Sequence, residues 1–526
     1  YIVQASMMGY KQTRISNVKV SVDRTTRVDI ELEPTVIDVG ESVTVVAEQP
    51  IVQKDLTATS YSVSSEEIKT MPVETFQEIL QLQAGIVQDT QGELHVRGGR
   101  ASEISYLVDG VSISDPYSGK VAVNVDHGTI QELKVISGTF NAEYGKVMSG
   151  VVEIITKDPD TDFKAGINFY TGDYVSTHDS LFYNIGDISP SSIYNAQLHF
   201  TGPVPLTSNK LSYYISLRRY YNEGWLYGKR LYNPSDSSNF QTPQSVYTEQ
   251  TGDGDPVPMN DNSQYFANAK LVYKFSPSFK ISYNFLGDLS ERRNYNHLYK
   301  YNPDGDVTDY QHGYTNILNM NHMLASNTFY TVKLSRYYTN LETYLYEDPR
   351  DARYVNPVIL RNREDDFSFL TGGTNMNHYY RSTTVNVAKL DLTSQFTKLH
   401  QIKAGIEYKQ NKIHVRSQAA YYSGLENGGI FNAEYFFNKG EFTHDPVEFA
   451  AYLQDKVELK NMTLNIGLRY DYFYSQGKIP NDFKDPGNTY RDDPAGYHDP
   501  EVKHQMSPRL GIAFPITDKG VFHTSY

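Results

Sequence analysis

The sequence predicts a mainly β chain. Its larger part is a transmembrane antiparallel β-barrel, incomplete at about thirteen strands, preceded by a small α+β domain and the remnant of a β-sandwich. Three observations lead there. Runs that alternate strictly between apolar and polar residues recur through the second half; in "YNAQLHFTG" Tyr194, Ala196, Leu198 and Phe200 fall on one side, and Asn195, Gln197, His199 and Thr201 on the other. The connections between such runs alternate short and long, as a barrel with tight turns at one rim and large loops at the other requires. Tyrosine is over-used, 44 Tyr against 24 Phe and 1 Trp, and its half-polar ring suits the border between hydrocarbon and water.

Residues 1–34 read as a small all-β piece. "YIVQASMMGYKQ" and "VKVSVDRTTRVDIELEP" alternate, and Pro34 closes them. Two or three strands are marginal alone, so the rest of a sandwich is expected upstream. Residues 35–60, with "IDVGESVTVVAEQP", are extended, β-branched and stopped by Pro50: a linker able to become a strand. Residues 61–158 mix helix and strand. "ETFQEILQLQAG" sets Phe76, Ile79 and Leu80 on one helical face and stops at Gly85. The short strands "LHVRG", "ISYLVDG", "IQELKVI" and "GVVEIITK" follow, punctuated by glycines.

From residue 159 on, the barrel pattern holds. In "TLNIGLRYDYF" Leu464, Ile466, Leu468, Tyr470 and Tyr472 form one face, and Asn465, Gly467, Arg469 and Asp471 the other. A strand of about 10 residues rises about 33 Å, and a tilt of about 45° leaves about 23 Å, close to an apolar band of about 25 Å. Short turns fall at Ser276–Ser278, Thr397–Leu399 and Lys460–Met462. Long loops fall near 173–192, 222–262, 290–313, 346–380, 416–446 and 475–505. Structureless loops beyond about 15 residues are uncommon in a compact soluble domain. The apolar faces therefore meet acyl chains and the polar faces line a lumen. A lumen of that width is either an open channel or holds a plug, and the preceding domain is the candidate plug.

The totals exclude several classes. No run of 18 apolar residues occurs, so no transmembrane helix is present, which says nothing against a barrel. With 48 Lys and Arg against 62 Asp and Glu, the net charge is −14, which argues against nucleic-acid binding. Cysteine is absent, removing disulfides, thiolate metal sites and cysteine nucleophiles. The chain opens and closes inside strand-like text, "YIVQASMMGY" and "GVFHTSY", and no secretory leader is visible. It reads as a fragment cut at both ends. Since an open sheet edge is not viable in lipid, the natural protein is expected to continue past Tyr526.

The segments "LHVRGGRASEISYLVDGVSISDP" (Leu94–Pro116) and "IQELKVISGTFNAEYGKVMSGVVEIITKDP" (Ile130–Pro159) resemble the plug hallmarks of the TonB-dependent outer-membrane receptors. The shared features are an RGG-type strand end at Arg97, Gly98, Gly99 and Arg100, a turn at Asp109–Gly110, and Tyr144–Gly145 ahead of the strand G-V-V-E-I-I-T-K. "AAYLQDKVELKNMTLNIGLRYDYF" and "SPRLGIAFPITDKGVFHTSY" resemble the family's mid-barrel strands. Residues 1–34 resemble the last strands of a carboxypeptidase-regulatory-like domain, a structural module. "ESVTVVA" (Glu41, Ser42, Val43, Thr44, Val45, Val46, Ala47) resembles the TonB box, which needs only a β-prone segment able to pair by strand addition; an ordinary linker strand is the plainer alternative. The resemblance implies that Arg97 and Arg100 pair with carboxylates of the barrel wall, against the plainer reading of a glycine-bent turn with solvated arginines. It also implies a bacterial outer-membrane location, no cofactor, and as partners TonB with its inner-membrane proton-driven complex, outer-membrane lipid and an extracellular solute, with a surface lipoprotein left open. The expected activity is TonB-coupled uptake of an oligosaccharide, peptide or metal chelate. The alternatives are a surface adhesion or assembly protein of the same build, and a soluble multidomain β-protein.

Other motifs carry less. The arginine–glycine run lacks G-x-x-x-x-G-K-[ST], so it is no phosphate loop. Asp253, Asp255 and Asp261 in "TGDGDPVPMNDN", and Asp304, Asp306 and Asp309 in "NPDGDVTDY", lack the closing glutamate of a calcium loop and read as solvated carboxylates. No H-E-x-x-H or G-x-S-x-G occurs, and no catalytic residue is expected. The Tyr-rich "YYNEGWLYGKRLY" (Tyr220–Tyr232) suits either a ligand surface or the interfacial girdle. The facing predicts that Leu198→Lys is costly and Gln197→Lys is not.

Overall fold

The computed structural model describes residues 2–7, 10, 12–16, 18, 28, 30–32, 43–46 and 57–525, except 90–91, 139, 180, 241–242, 356–359, 362–368, 422–434, 461, 485–495 and 518–519. Three short strands come first. Val3–Ala5 pairs antiparallel with Thr13–Ser16, whose other edge takes Val43–Val46 in parallel.

An inner domain follows. Its five-stranded sheet runs in the order Thr59–Ser64, Ile130–Ser137, Gly150–Thr156, Ile104–Val108, Val111–Ser112. Gly150–Thr156 lies parallel to Ile104–Val108, so the crossover between them carries the Ile130–Ser137 strand back antiparallel. The expected helix forms at Phe76–Gln81, with Thr75 as N-cap. Phe76, Ile79 and Leu80 are its buried face, as the 3.6-residue period requires. It ends before Gly85, whose φ of 82° turns the chain into the Ile86–Gln88 strand.

The remainder is built on one 14-stranded sheet, with three small sheets of two or three short strands in its long loops. Thirteen strands follow chain order from Lys164–Gly172 to Gly520–Ser525, and the Tyr435–His444 strand pairs with the outer end of His400–Tyr421. All pairings in it are antiparallel. Among the described residues its first and last strands do not pair with each other. The alternation gives the facing. Leu198 and Phe200 are each 39% exposed, whereas Asn195 and Gln197 are buried. Ile466 and Leu468 point outward, while Asn465 and Arg469 are buried. Side chains of the inward face meet the inner domain: Leu286, Ile317, Tyr337, Val385 and Val387 of the wall share one apolar cluster with Phe76, Val108, Ile113 and Ile154.

Strand length differs from the expected ten residues. Thr308–Ala325, Thr328–Tyr344, Asn377–Gln395 and His400–Tyr421 have 18, 17, 19 and 22 residues. The expected loops at 290–313 and 416–446 are therefore partly strand. The outward face explains the error. Leu334, Leu390 and Ile406 are exposed and apolar, but Asn316, Arg336, Asn386 and Gln410 then form a polar row across four strands. Above that row the outward residues are polar or aromatic, so the apolar alternation stops while backbone pairing continues.

Candidate functional site

The contact between inner domain and wall is where the charged side chains of this chain gather. The wall strand Leu211–Asn222 points Arg218 inward, with 2% side-chain exposure. Its Nη1 donates to Asp126 Oδ1 at 3.1 Å, and its Nη2 lies 2.5 Å from Glu74 Oε2. Nη1 also donates to the Glu74 carbonyl and to His127 Nδ1, at 3.1 and 3.2 Å. Gln197 and Asn195 on the neighbouring strand complete the set: Gln197 Nε2 donates to Asp126 Oδ2 at 2.7 Å, and Asn195 Oδ1 accepts from Arg218 Nε at 2.6 Å. The Tyr170 hydroxyl donates to Glu74. One wall cation therefore fastens two separate segments of the inner domain. Burial holds the His127 imidazole below its ordinary range; Asp126 partly opposes this, and Arg218 adds to it.

Three more fastenings repeat the polarity. Lys270 Nζ lies 3.5 Å from Asp109 Oδ2 and 2.7 Å from Asp158 Oδ1. Arg381 Nη2 lies 3.0 Å from Asp115 Oδ2. Arg469 Nη1 donates to the carbonyls of Ala142 and Glu143 at 3.3 and 3.1 Å, beside Gln454, whose Oε1 accepts from Ala142 N at 2.7 Å. In these four contacts cations on the wall meet carboxylates or carbonyls on the inner domain; Lys146 of the inner domain, 2.7 Å from Glu448 of the wall, has the opposite polarity.

Arg97 and Arg100 do not make the wall contacts expected of them. Both are exposed, and among the described residues neither makes an ion pair with a wall carboxylate. Arg97 and Gly98, at φ 51° and 77°, form a left-handed turn, and the Arg97 side chain lies beside Gly85 and Gly138 of the inner domain itself. Gly99 matters for closeness: a Cβ there would sit 2.4 Å from Ser149 Cβ. Asp109 and Gly110 form the expected turn, at φ 48° and 77°. Asp109 does more than turn the chain, because it accepts from Thr156 N, Thr156 Oγ1 and Asn284 Nδ2 at 2.9, 2.7 and 2.9 Å. Tyr144 is buried, and a Cβ on Gly145 would sit 2.3 Å from Arg469 Nη2. Of the box-like segment, Val43–Val46 is the strand described above, and Glu41, Ser42 and Ala47 lie outside the described residues.

The loop carboxylates are tied to protein cations and amides. Arg230 joins Asp253, at 2.8 Å, to Asp304, and Arg293 Nε donates to Asp261 at 2.6 Å. Asp306 and Asp309 accept from Asn375 and Asn294. Among the described residues no group of three His, Asp or Glu is placed to hold a metal. The Tyr-rich stretch divides: Tyr221 stacks outward on Tyr194 at 5.3 Å, while Tyr220 turns inward beside Arg218. Arg218, Lys270 and Arg381, missed in the sequence reading, had one legible signal. Each is a cation on the polar face of an alternating run.

A folded domain seated by ion pairs against the inner face of a long-stranded sheet defines an outer-membrane receptor of the plug-and-wall class. Residues 52–152 match the TonB-dependent receptor plug domain, and residues 273–526 match the TonB-dependent receptor-like β-barrel. The chain belongs to the TonB-dependent receptors, a family of the bacterial outer membrane. It is similar to the TonB-dependent transporter Oar of Myxococcus xanthus, 26% identical over 177 residues, which are 32% of this chain and 16% of the relative. It is also similar to the TonB-dependent heme receptor A of Haemophilus ducreyi, 30% identical over 146 residues, 26% of this chain and 18% of that one. In fold it matches the ferripyoverdine receptor of Pseudomonas aeruginosa with a TM-score of 0.61 at 12% identity, covering 90% of this chain and 57% of that one. The aligned parts thus span under a fifth of the two curated relatives.

Proposed function

We propose that this receptor takes up a scarce extracellular solute by TonB-coupled active transport, with Glu41–Ala47 as the TonB box. One observation carries the reading. The plug is a separately folded body seated on the inner face of the wall, by polar contacts centred on Arg218, Lys270 and Arg381 together with a shared apolar cluster. Val43–Val46 supports the box assignment, because it already pairs as an added parallel strand on Thr13–Ser16, the mode in which a TonB partner would take it. Solute bound from the long-loop side shifts the plug toward a state that presents this segment. Such a shift requires tighter binding to that state than to the seated one. Arg97, Gly98, Gly99, Arg100, Asp109, Gly110, Tyr144 and Gly145 then serve to shape and seat the plug.

We further assign residues 1–34 to a carboxypeptidase-regulatory-like module, 35–60 to the linker, 61–158 to the plug and 159–526 to the barrel. The partners are the proton-driven TonB complex, outer-membrane lipid, the solute and, as an accessory, a surface lipoprotein. Deletion of Glu41–Ala47 is expected to abolish uptake in whole cells and cross-linking of position 44 to TonB, while surface binding persists. Uptake that continues unchanged after this deletion would overturn the box assignment, whereas surface binding with no gradient-dependent accumulation of solute by the intact receptor would identify a surface adhesion or assembly protein.

A further inference from the structure

The outward face of the wall changes chemistry where its apolar band ends. Asn316, Arg336, Asn386 and Gln410 stand in register there, across four neighbouring strands. Two residues farther up each strand, Tyr314, Tyr338, Thr384 and Lys412 form the next row. A third row runs from His312 through Asn340 and Ser382 to His414. These three rows contain no carboxylate, although the chain carries a net charge of −14. Glu342 and Glu441 come only in the row above them.

Two full cations lie in this belt. Arg336 and Lys412 are both exposed, and among the described residues neither makes an ion pair. Asp445, in the bend after Tyr435–His444, pairs with neither. Their Cα atoms stand two strands and two residues apart, about 12 Å at about 4.8 Å per strand and about 3.4 Å per residue. Depth gives the pair its meaning. Leu334 and Ile406, just below on the same strands, are exposed and apolar, so the cations sit at the upper border of the hydrocarbon. That is the level at which membrane lipids carry their phosphates, and there the attraction is stronger than in open water. A protein partner at this height would need a surface that also fits hydrocarbon.

The height of the belt separates two kinds of lipid. Its upper rows reach about 10 Å above the first, at about 7 Å per row along strands tilted by about 45°. A phosphodiester headgroup fills the first row alone. A phosphorylated sugar headgroup also covers the neutral donors and acceptors of Asn386, Gln410 and Thr384, and the Tyr314 and Tyr338 rings, which lie 5.6 Å apart. We propose that Arg336 and Lys412 bind the phosphates of one lipopolysaccharide molecule of the outer leaflet, and that the neutral groups between them bond its glucosamine hydroxyls. The site lies on the opposite face of the wall from the plug, so it is independent of cargo and of Glu41–Ala47.

The test uses the full-length receptor in mild detergent, freed of lipid and followed by native mass spectrometry. It is titrated separately with bisphosphorylated lipid A, fully dephosphorylated lipid A, phosphatidylglycerol and inorganic phosphate. Bisphosphorylated lipid A is expected to bind, and removal of its phosphates to weaken binding by about tenfold or more. Arg336→Gln combined with Lys412→Gln is expected to cause the same loss, whereas Arg336→Lys and Lys412→Arg, which keep the charges, stay within about threefold. Lys210→Gln combined with Lys398→Gln removes two exposed cations from the short-turn rim and should change nothing. Unchanged heat-modifiable gel mobility verifies folding, and the comparison of the two lipid A forms on the unmodified receptor stands even if a variant fails it. The proposal is overturned if dephosphorylated lipid A binds as well, if the double glutamine variant at the belt keeps its affinity, or if the short-turn control loses as much. It is equally overturned if phosphatidylglycerol or inorganic phosphate binds these residues as tightly, which would make the belt a general phosphate site. A detergent-stable dimer that the belt variant dissociates would assign the face to a second copy of the chain.

Discussion

Arg218 of the wall and Asp126 of the plug face each other at 3.1 Å with side-chain exposures of only 2% and 3%. A pair so enclosed is poor evidence for net stability, since desolvation offsets most of its attraction, but breaking it from one side is severe. Arg218→Met leaves Asp126 buried with Gln197 as its remaining partner and is expected to cost about 3–5 kcal/mol of plug seating. Hydrogen exchange over Asp126–Ile130 measures it. The double variant with Asp126→Asn should recover most of the loss, and an unrecovered loss would mean that Arg218 acts through Glu74 instead.

Gln197 revises an expectation. Its position on the polar face suggested that Gln197→Lys would be mild, yet the amide donates to Asp126 and is buried against Ser216. A lysine there removes that bond and crowds Arg218. The membrane facing is better tested on one strand: Leu390 and Asn386 both point outward, four residues apart. Leu390→Lys is expected to cost about 2–4 kcal/mol if it lies at the midplane, and Asn386→Lys, in the polar row, about 0–1 kcal/mol, read from denaturant unfolding in lipid vesicles. Equal costs would contradict the band placed here.

His127 makes plug seating pH-dependent. It is held neutral when folded, with its proton affinity lowered, while the unfolded chain titrates near its ordinary value of 6.5. The unfolded state therefore binds more protons, and the stability supplied by the neutral ring is complete above about pH 6.5 and lost as pH falls toward the lowered value. Exchange of Asp126–Ile130 should rise on acidification through that window. His127→Gln should flatten the dependence; an unchanged slope would assign it to other groups.

Gly145→Ala drives a methyl group to within 2.3 Å of Arg469 Nη2, so the guanidinium must leave the carbonyls of Ala142 and Glu143. A loss of about 1–3 kcal/mol is expected, seen as faster proteolysis of the 140–148 loop. If Arg469→Ala alone already produces the same change, adding Gly145→Ala to it should do little more.

The legible parts of this chain are those where a local period reports a long-range fact. Alternation at Tyr194–Gly202 and Thr463–Phe473 gave the correct inward and outward faces because every second residue meets a different medium. The Phe76, Ile79, Leu80 helix was readable for the same reason. Strand ends were not, because above the Asn316–Gln410 row both faces are wet and the period vanishes although the backbone stays paired. The seating contacts were half legible. Charge on an inward face marks Arg218 and Lys270, but their partners Asp126 and Asp109 lie 92 and 161 residues away, and nothing local links them. The motif at Arg97–Arg100 misled because it combines a conspicuous charge with a left-handed turn that leaves the Arg97 side chain beside Gly85 and Gly138 of the plug itself.

The long strands have a consequence for how cargo is first met. From His400 to the polar row at Gln410 the wall climbs about 23 Å, the thickness of the hydrocarbon; from Gln410 to Tyr421 it climbs about 25 Å more. The longest strands therefore stand well above the bilayer, their tips about three Debye lengths from the headgroups at physiological salt. Charges on the lipid surface are screened out at that height, so the rim's own side chains, such as the Arg230 clamp on Asp253 and Asp304, set the field that an approaching solute feels.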